Sequence, residues 1–165
     1  MFKSLLILCA LFTAASGIGY AQAKVIVEPT NLRGPRLLQE QTGAAAIRYY
    51  LQSWKSLSAA LGQNRAGLLN PDFVGTARDK LTETIQQQAA IGIRTKYQDR
   101  AHDIQIVFYS PEGLSLELTD KVEYDVQVLD HDRVKTTQHI SARYVIVLTP
   151  AEVQWRVRVF QALSE

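Results

Sequence analysis

Residues 104–118 read Ile104-Gln105-Ile106-Val107-Phe108-Tyr109-Ser110-Pro111-Glu112-Gly113-Leu114-Ser115-Leu116-Glu117-Leu118. Ile104, Ile106 and Phe108 alternate with Gln105, Val107 and Tyr109, and Leu114, Leu116 and Leu118 alternate with serine, glutamate and threonine. A period of two is the mark of a half-buried strand, and Ser-Pro-Glu-Gly between two such runs is turn chemistry that closes a hairpin. The pattern continues outward. Val122, Tyr124, Val126 and Val128 make a further run, Asp130-His131-Asp132-Arg133 a second turn, and Ile140, Ala142, Tyr144, Ile146 and Leu148 one face of a long strand. Thr149-Pro150-Ala151-Glu152 turns once more before Val153, Trp155, Val157 and Val159. On this alternation the inward face is valine, isoleucine, leucine, tyrosine and tryptophan, with no polar residue placed to ionise. Asp103 reads as the start of a strand.

Upstream the period becomes helical. Ile47, Tyr50, Leu51, Trp54, Leu57 and Leu61 recur at intervals of three and four, which lines them along one stripe. Thr42 is the expected N-cap and Gly62 the expected stop. Asn70-Pro71-Asp72-Phe73 breaks the chain, because Pro71 biases Asn70 away from helix. A second helix follows from about Phe73, on the stripe Phe73, Ala77, Leu81, Ile85 and Ala89, and ends between Gly92 and Lys96. Arg65 to Leu69 has room for a short helix. Helices first and hairpin-linked strands after predict an α+β domain, with helices packed on one face of an antiparallel sheet of four to five strands.

The N-terminus reads as a targeting segment. Lys3 is its one side-chain charge, Ser4 to Ala15 is almost unbroken apolar sequence, and Ala21-Gln22-Ala23 is a cleavage pattern. The apolar run is shorter than the roughly 20 residues a membrane span requires, so cleavage after Ala23 is expected rather than retention as an anchor. Leu8 before Cys9 is the wrong residue for lipidation. Periplasmic or secreted localisation follows, with no membrane insertion after cleavage. Removing Lys3 takes the formal charge from +2 to +1, a balance without the electrostatic footprint of a nucleic-acid partner. Cys9 is the sole cysteine, so the remaining domain stands on its core rather than on disulfides. Residues 24–41, with Pro29, Gly34 and Pro35, read as a flexible linker in which Val25-Ile26-Val27 pairs loosely on a sheet edge. Residues 42–165 read as one domain.

The order of elements from Ala44 to Leu163 resembles the nuclear transport factor 2-like superfamily, which includes ketosteroid isomerase-like and SnoaL-like domains. The carriers are the first helix with Tyr50 and Trp54, the break at Asn70 to Phe73, the strand Ala142-Arg143-Tyr144-Val145-Ile146-Val147-Leu148, and the final strand Val153-Gln154-Trp155-Arg156-Val157. The short hairpin that family members often place between the helices is missing here. The resemblance implies a sheet curled into a cone around a pocket capped by helices. It also implies dimers formed through the sheet face.

Chemistry is sparse. Asp130, His131 and Asp132 sit together, but a polar hairpin tip is the ordinary home of such residues, and no metal ligands fall at helical spacing. No Gly-x-Ser-x-Gly elbow, phosphate-cradling loop or cofactor motif occurs. The family's isomerases use an aspartate base with an oxyanion hole of tyrosine and neutral aspartic acid. Tyr49, Tyr50, Asp72 and Asp103 are the residues of those types near helix or strand boundaries, yet none matches a family motif, and no catalytic residue is assigned. Tyr50, Trp54, Tyr144 and Trp155 are the candidate lining of a pocket for a small apolar ligand. Tyr109, Arg143, Arg156 and Arg158 are the candidate interface, with Phe160 and Leu129 on the same face. Those arginines oppose Glu123 and Asp125, so cross-strand charge pairing explains them equally. The expectation is a non-enzymatic binding or assembly module with a protein partner or a second copy. A small-ligand pocket or an isomerase- or cyclase-like enzyme in the same cavity is the alternative.

Overall fold

The computed structural model describes residues 22–34 and 36–163. The expected signal peptide lies outside the described residues, save its last two positions. The elements run β1 (Lys24–Val27), α1 (Glu40–Gln63), a 3₁₀ turn (Ala66–Leu69), α2 (Gly75–Ala90), β2 (Ile93–Tyr109), β3 (Leu116–Asp130), β4 (Arg133–Pro150) and β5 (Trp155–Leu163). Among the described residues no helix is long and apolar enough to cross a membrane.

The sheet has five strands in the order β1-β2-β3-β4-β5. Strands β2 to β5 form the expected antiparallel meander, whereas β1 is parallel to β2, with Lys24 opposite Ala101 and Val27 opposite Ile104. The sheet is therefore mixed. Of residues 24–41, read as a linker, Lys24 to Val27 pair with β2 and Glu40 and Gln41 begin α1; beyond β1 the amides of Glu28, Asn31 and Arg33 donate to the carbonyls of Ile104, Ile106 and Val107.

Helix α1 buries Ala46, Ile47, Tyr50, Ser53, Trp54, Leu57, Ala60 and Leu61, the face its apolar spacing predicts. It starts earlier than Thr42 and runs past Gly62, because Asn64 supplies the stop. Asn64 takes a left-handed conformation (φ 52°), donates its amide back to Ala60 and Leu61, and ties its side chain to the Ile93 carbonyl at 2.9 Å. In α2 the buried residues are Ala77, Ile85 and Gln88, while Ala89 is exposed. Gln88 donates to the Leu61 carbonyl (2.7 Å) and to Asn64 (2.5 Å), and accepts from Thr95 (2.9 Å), so it joins both helices to β2.

The strands depart from strict alternation at four register shifts, at Asp99/Ala101, Ile106/Phe108, Val128/Leu129 and Val147/Leu148. Each shift moves the following side chains to the other face. After Ile106, Tyr109 rather than Phe108 is buried, and on β5 the skipped Arg158 lets Phe160 turn toward the core with Val157. The tip between β3 and β4 is a two-residue turn in which His131 (φ 46°) and Asp132 (φ 67°) are both left-handed, the geometry a tight hairpin requires. Strand β5 pairs only with Arg143 to Pro150, so Arg133 to Ala142 of β4 extends beyond it as an open edge.

Candidate functional site

The concave side of the sheet holds a buried polar constellation where apolar residues alone were expected. Asp120 of β3 is wholly buried, and so are Tyr50 of α1 and, within 2% exposure, His102 of β2. The Tyr50 hydroxyl donates to Asp120 Oδ2 at 2.7 Å, and His102 Nδ1 meets the same oxygen at 2.7 Å. Asp120 Oδ1 accepts the backbone N–H of Asp103 at 3.0 Å. A buried carboxylate is tolerable only with such partners. Asp99 of β2 lies 3.8 Å from His102 Nε2.

Burial alone would lower the pKa of His102, but the hydrogen bond to Asp120 and the neighbouring charge of Asp99 outweigh it and push the imidazole up to about 9. Near neutral pH His102 is thus an imidazolium donating to a carboxylate. Burial, then the charge of Asp120, holds Tyr50 well above the ordinary tyrosine range, so its hydroxyl stays protonated and donating. These are groups from which acid–base sites are built.

Access is a separate matter. Trp54, 1% exposed, lies across the constellation with its ring 5.4 Å from the imidazole. Around it stand Phe160 at 5.3 Å, Tyr144 at 5.6 Å and Tyr124 at 5.7 Å between ring centroids. Tyr124 and Tyr144 share a hydroxyl–hydroxyl hydrogen bond of 2.9 Å, and Tyr97 stacks on Tyr124 at 5.3 Å. Burial raises the Tyr97 pKa to about 12 and, with the Tyr124 hydrogen bond, raises that of Tyr144 further. Edge-to-face and tilted rings at these distances are in packing contact, with Trp54 and Tyr124 buried and Tyr97, Tyr144 and Phe160 half-buried. The Trp54 indole N–H is buried without a hydrogen-bond partner among the described residues.

Of the four residues expected to line an apolar pocket, Trp54 and Tyr144 pack ring against ring, and Tyr50 meets edge-on, at 6.3 Å, the same imidazole that Trp54 covers. Trp155 stands apart, half-buried at the β4–β5 end opposite Pro150. Of the expected interface, Tyr109 is buried, turned inward by the Ile106/Phe108 shift, with the Arg36 guanidinium 5.0 Å over its ring. Leu129 is buried and Phe160 joins the aromatic cluster. Arg156 reaches the carbonyls of Asn70 and Phe73, tying β5 to the loop before α2. Arg143 and Arg158 are exposed. Asp125 pairs with Arg100 and with His139 (2.9 Å), not with those arginines. Asp72 accepts from Ser56, outside the aromatic cluster. At the hairpin tip Asp130 meets Lys135 at 3.2 Å and Asp132 meets Arg94, so cations already neutralise the carboxylates. Among the described residues no group of three or more acidic, histidine or cysteine side chains is placed to hold a metal ion.

Outside the cone, a groove of about 890 Å³ runs between α1 and the segment from β1 to Glu40. Val27, Leu38, Ile47, Leu51 and Ile106 make it apolar, and Arg48 and Lys55 stand on its rim. Nothing in the sequence reading pointed to it, because it joins two regions read separately.

No family model matches the sequence, and no curated protein matches it. Solved structures do. The chain is similar to the intermembrane-space region of the chloroplast protein ARC6, with a TM-score of 0.66 and 15% identity over 79% of this chain and 100% of that one. It is similar to a scytalone dehydratase-like protein of Novosphingobium aromaticivorans (TM-score 0.52, 14% identity, 76% of this chain and 89% of that one). It is also similar to Aln2 of a Streptomyces species (TM-score 0.51, 10% identity, 78% and 94%). At these identities the likeness is one of fold.

Proposed function

We propose, from the premise that this chain has the nuclear transport factor 2-like fold its sequence resembles, that it is a non-enzymatic binding or assembly module, exported to the periplasm or beyond and working through its outer sheet face. The observation that carries the reading is the closed interior. Asp120 has both oxygens engaged, and Trp54 and its neighbouring rings occupy the space where a substrate of such a cone would lie. A general base must reach the proton it takes within about 3 Å or through one water, and here packed rings intervene. The tyrosine–aspartate–histidine network then serves to fix α1 on the sheet.

The outer face offers a surface of the right kind for a second copy. Val145 and Val147 of β4 and Val159 of β5 are neighbours there, each half-buried in the single chain, with Arg143 and Lys121 beside them. Apolar residues ringed by charge suit a protein interface.

The test is hydroxyl-radical footprinting at neutral pH, which oxidises solvent-accessible histidines in either protonation state, mapped by mass spectrometry. His131 and His139 react, and His102 stays protected on the same timescale. Rapid modification of His102 would sink the closed-cone reading and favour the second one. In that reading the cone opens, and His102, Asp120 and Tyr50 act as acid–base groups of an isomerase- or cyclase-like enzyme.

A further inference from the structure

We propose that the groove between α1 and the β1 edge is a binding site for a medium-chain fatty acid. The site is separate from the outer sheet face and stands or falls independently of the module reading. Its floor is apolar from Leu38 and Ile106 past Ile47 to Leu51, a run of about 12 Å along the helix. Its volume of about 890 Å³ holds a single alkyl chain with room to spare. The neighbouring edge of β1 is apolar as well, with Val25 and Val27 at 42% and 53% exposure.

Charge decides between an alkyl carboxylate and a neutral chain. Arg48 and Lys55 project from α1 along the same stripe as the floor, both exposed, and neither takes part in an ion pair among the described residues. Arg48 instead lies over the Tyr49 ring at 5.1 Å. Glu40, the rim's acid, stands at the opposite end, where a hydrocarbon tail would end. The groove therefore presents an apolar trough whose two free cations flank one half, complementary to a chain with one anionic head.

The experiment is a titration of dodecanoate, below its micelle concentration, into isotope-labelled protein followed by amide shifts. Saturable shifts at Gly43, Ala44 and Leu51 are expected. Reversing the rim charges together (Arg48→Glu with Lys55→Glu) should weaken binding by about tenfold or more, as should replacing the probe by dodecanol. Both positions are exposed, and circular dichroism verifies that the double variant is folded. No saturable shift, shifts centred on Trp54 and Tyr144, or an affinity indifferent to both the reversals and the headgroup would each overturn the proposal.

Discussion

Raising the pH from 6 to 10 removes the proton from His102 and with it part of the attachment of α1 to the sheet. The imidazole faces Asp120 from β3, Asp99 from its own strand, and Tyr50 and Trp54 from α1. Its folded pKa of about 9 stands above the 6.5 of a free histidine. The native state thus holds the proton more tightly than the unfolded chain. The stabilisation is fully present below pH 6.5, falls as the pH rises, and is lost once the pH passes 9. At about 1.4 kcal/mol per unit this amounts to about 3 kcal/mol. That is a large share of the 5–15 kcal/mol typical of a domain. Solvent screening discounts it little, since His102 is 2% exposed. Tyr50, Tyr97 and Tyr144 are all raised, so they stay protonated across this window. The assay is urea unfolding at half-unit steps of pH for the native chain and for His102→Gln. The native chain should lose about 3 kcal/mol between pH 6.5 and 9, and the variant should lose far less. A native profile that is flat or rising, or an equal fall in both proteins, would refute the reasoning.

Two further changes probe the same architecture. Trp54→Ala should lower stability by about 3–5 kcal/mol and leave an aromatic-walled void; thermal melts with and without indole then check whether the added ring restores the melting temperature, and no rescue would mean the interior collapses instead. Gln88→Leu keeps the volume of a buried side chain but strands the Asn64 side-chain oxygen and the Thr95 hydroxyl and leaves the Leu61 carbonyl only the long bond from the Asn64 amide, at a cost of about 1–3 kcal/mol by chemical denaturation; an unchanged midpoint would show that water takes over those bonds.

The polar constellation was legible in part. His102 shares its parity with Ile104 and Ile106, and Asp120 shares its parity with Leu116, Leu118 and Val122. Placing both inward needed only that the alternation be carried two residues past the apolar runs. Their pairing is a different matter, since it depends on the register Ile104 to Asp120 between strands, which no single-strand pattern contains. The faces of Tyr109 and Phe160 were hidden for a similar reason. A bulge is one residue that the partner strand does not match, and it leaves no mark in the alternation of the bulged strand alone. Helix α1 was legible because its stripe, from Ile47 to Leu61, spans about four turns. Its end was not, because an asparagine took the left-handed position that glycine more often fills. Strand β1 was read as an edge strand from Val25-Ile26-Val27, but its direction depends on the path of residues 28–39 across the sheet.

The stretch of β4 that outruns β5 is a row of unsatisfied amides and carbonyls held straight in water, the kind of surface on which a foreign strand grows and fibrils begin. Here the ten residues from Arg133 to Ala142 place Lys135, Thr136, Thr137, Gln138 and His139 in succession, all exposed, with Val134 the one large apolar side chain left open. An incoming strand would meet a lysine and a run of hydrated side chains, with almost nothing oily to bury in return. The long arm can therefore stand clear of the domain in a crowded compartment without recruiting its own copies into aggregates.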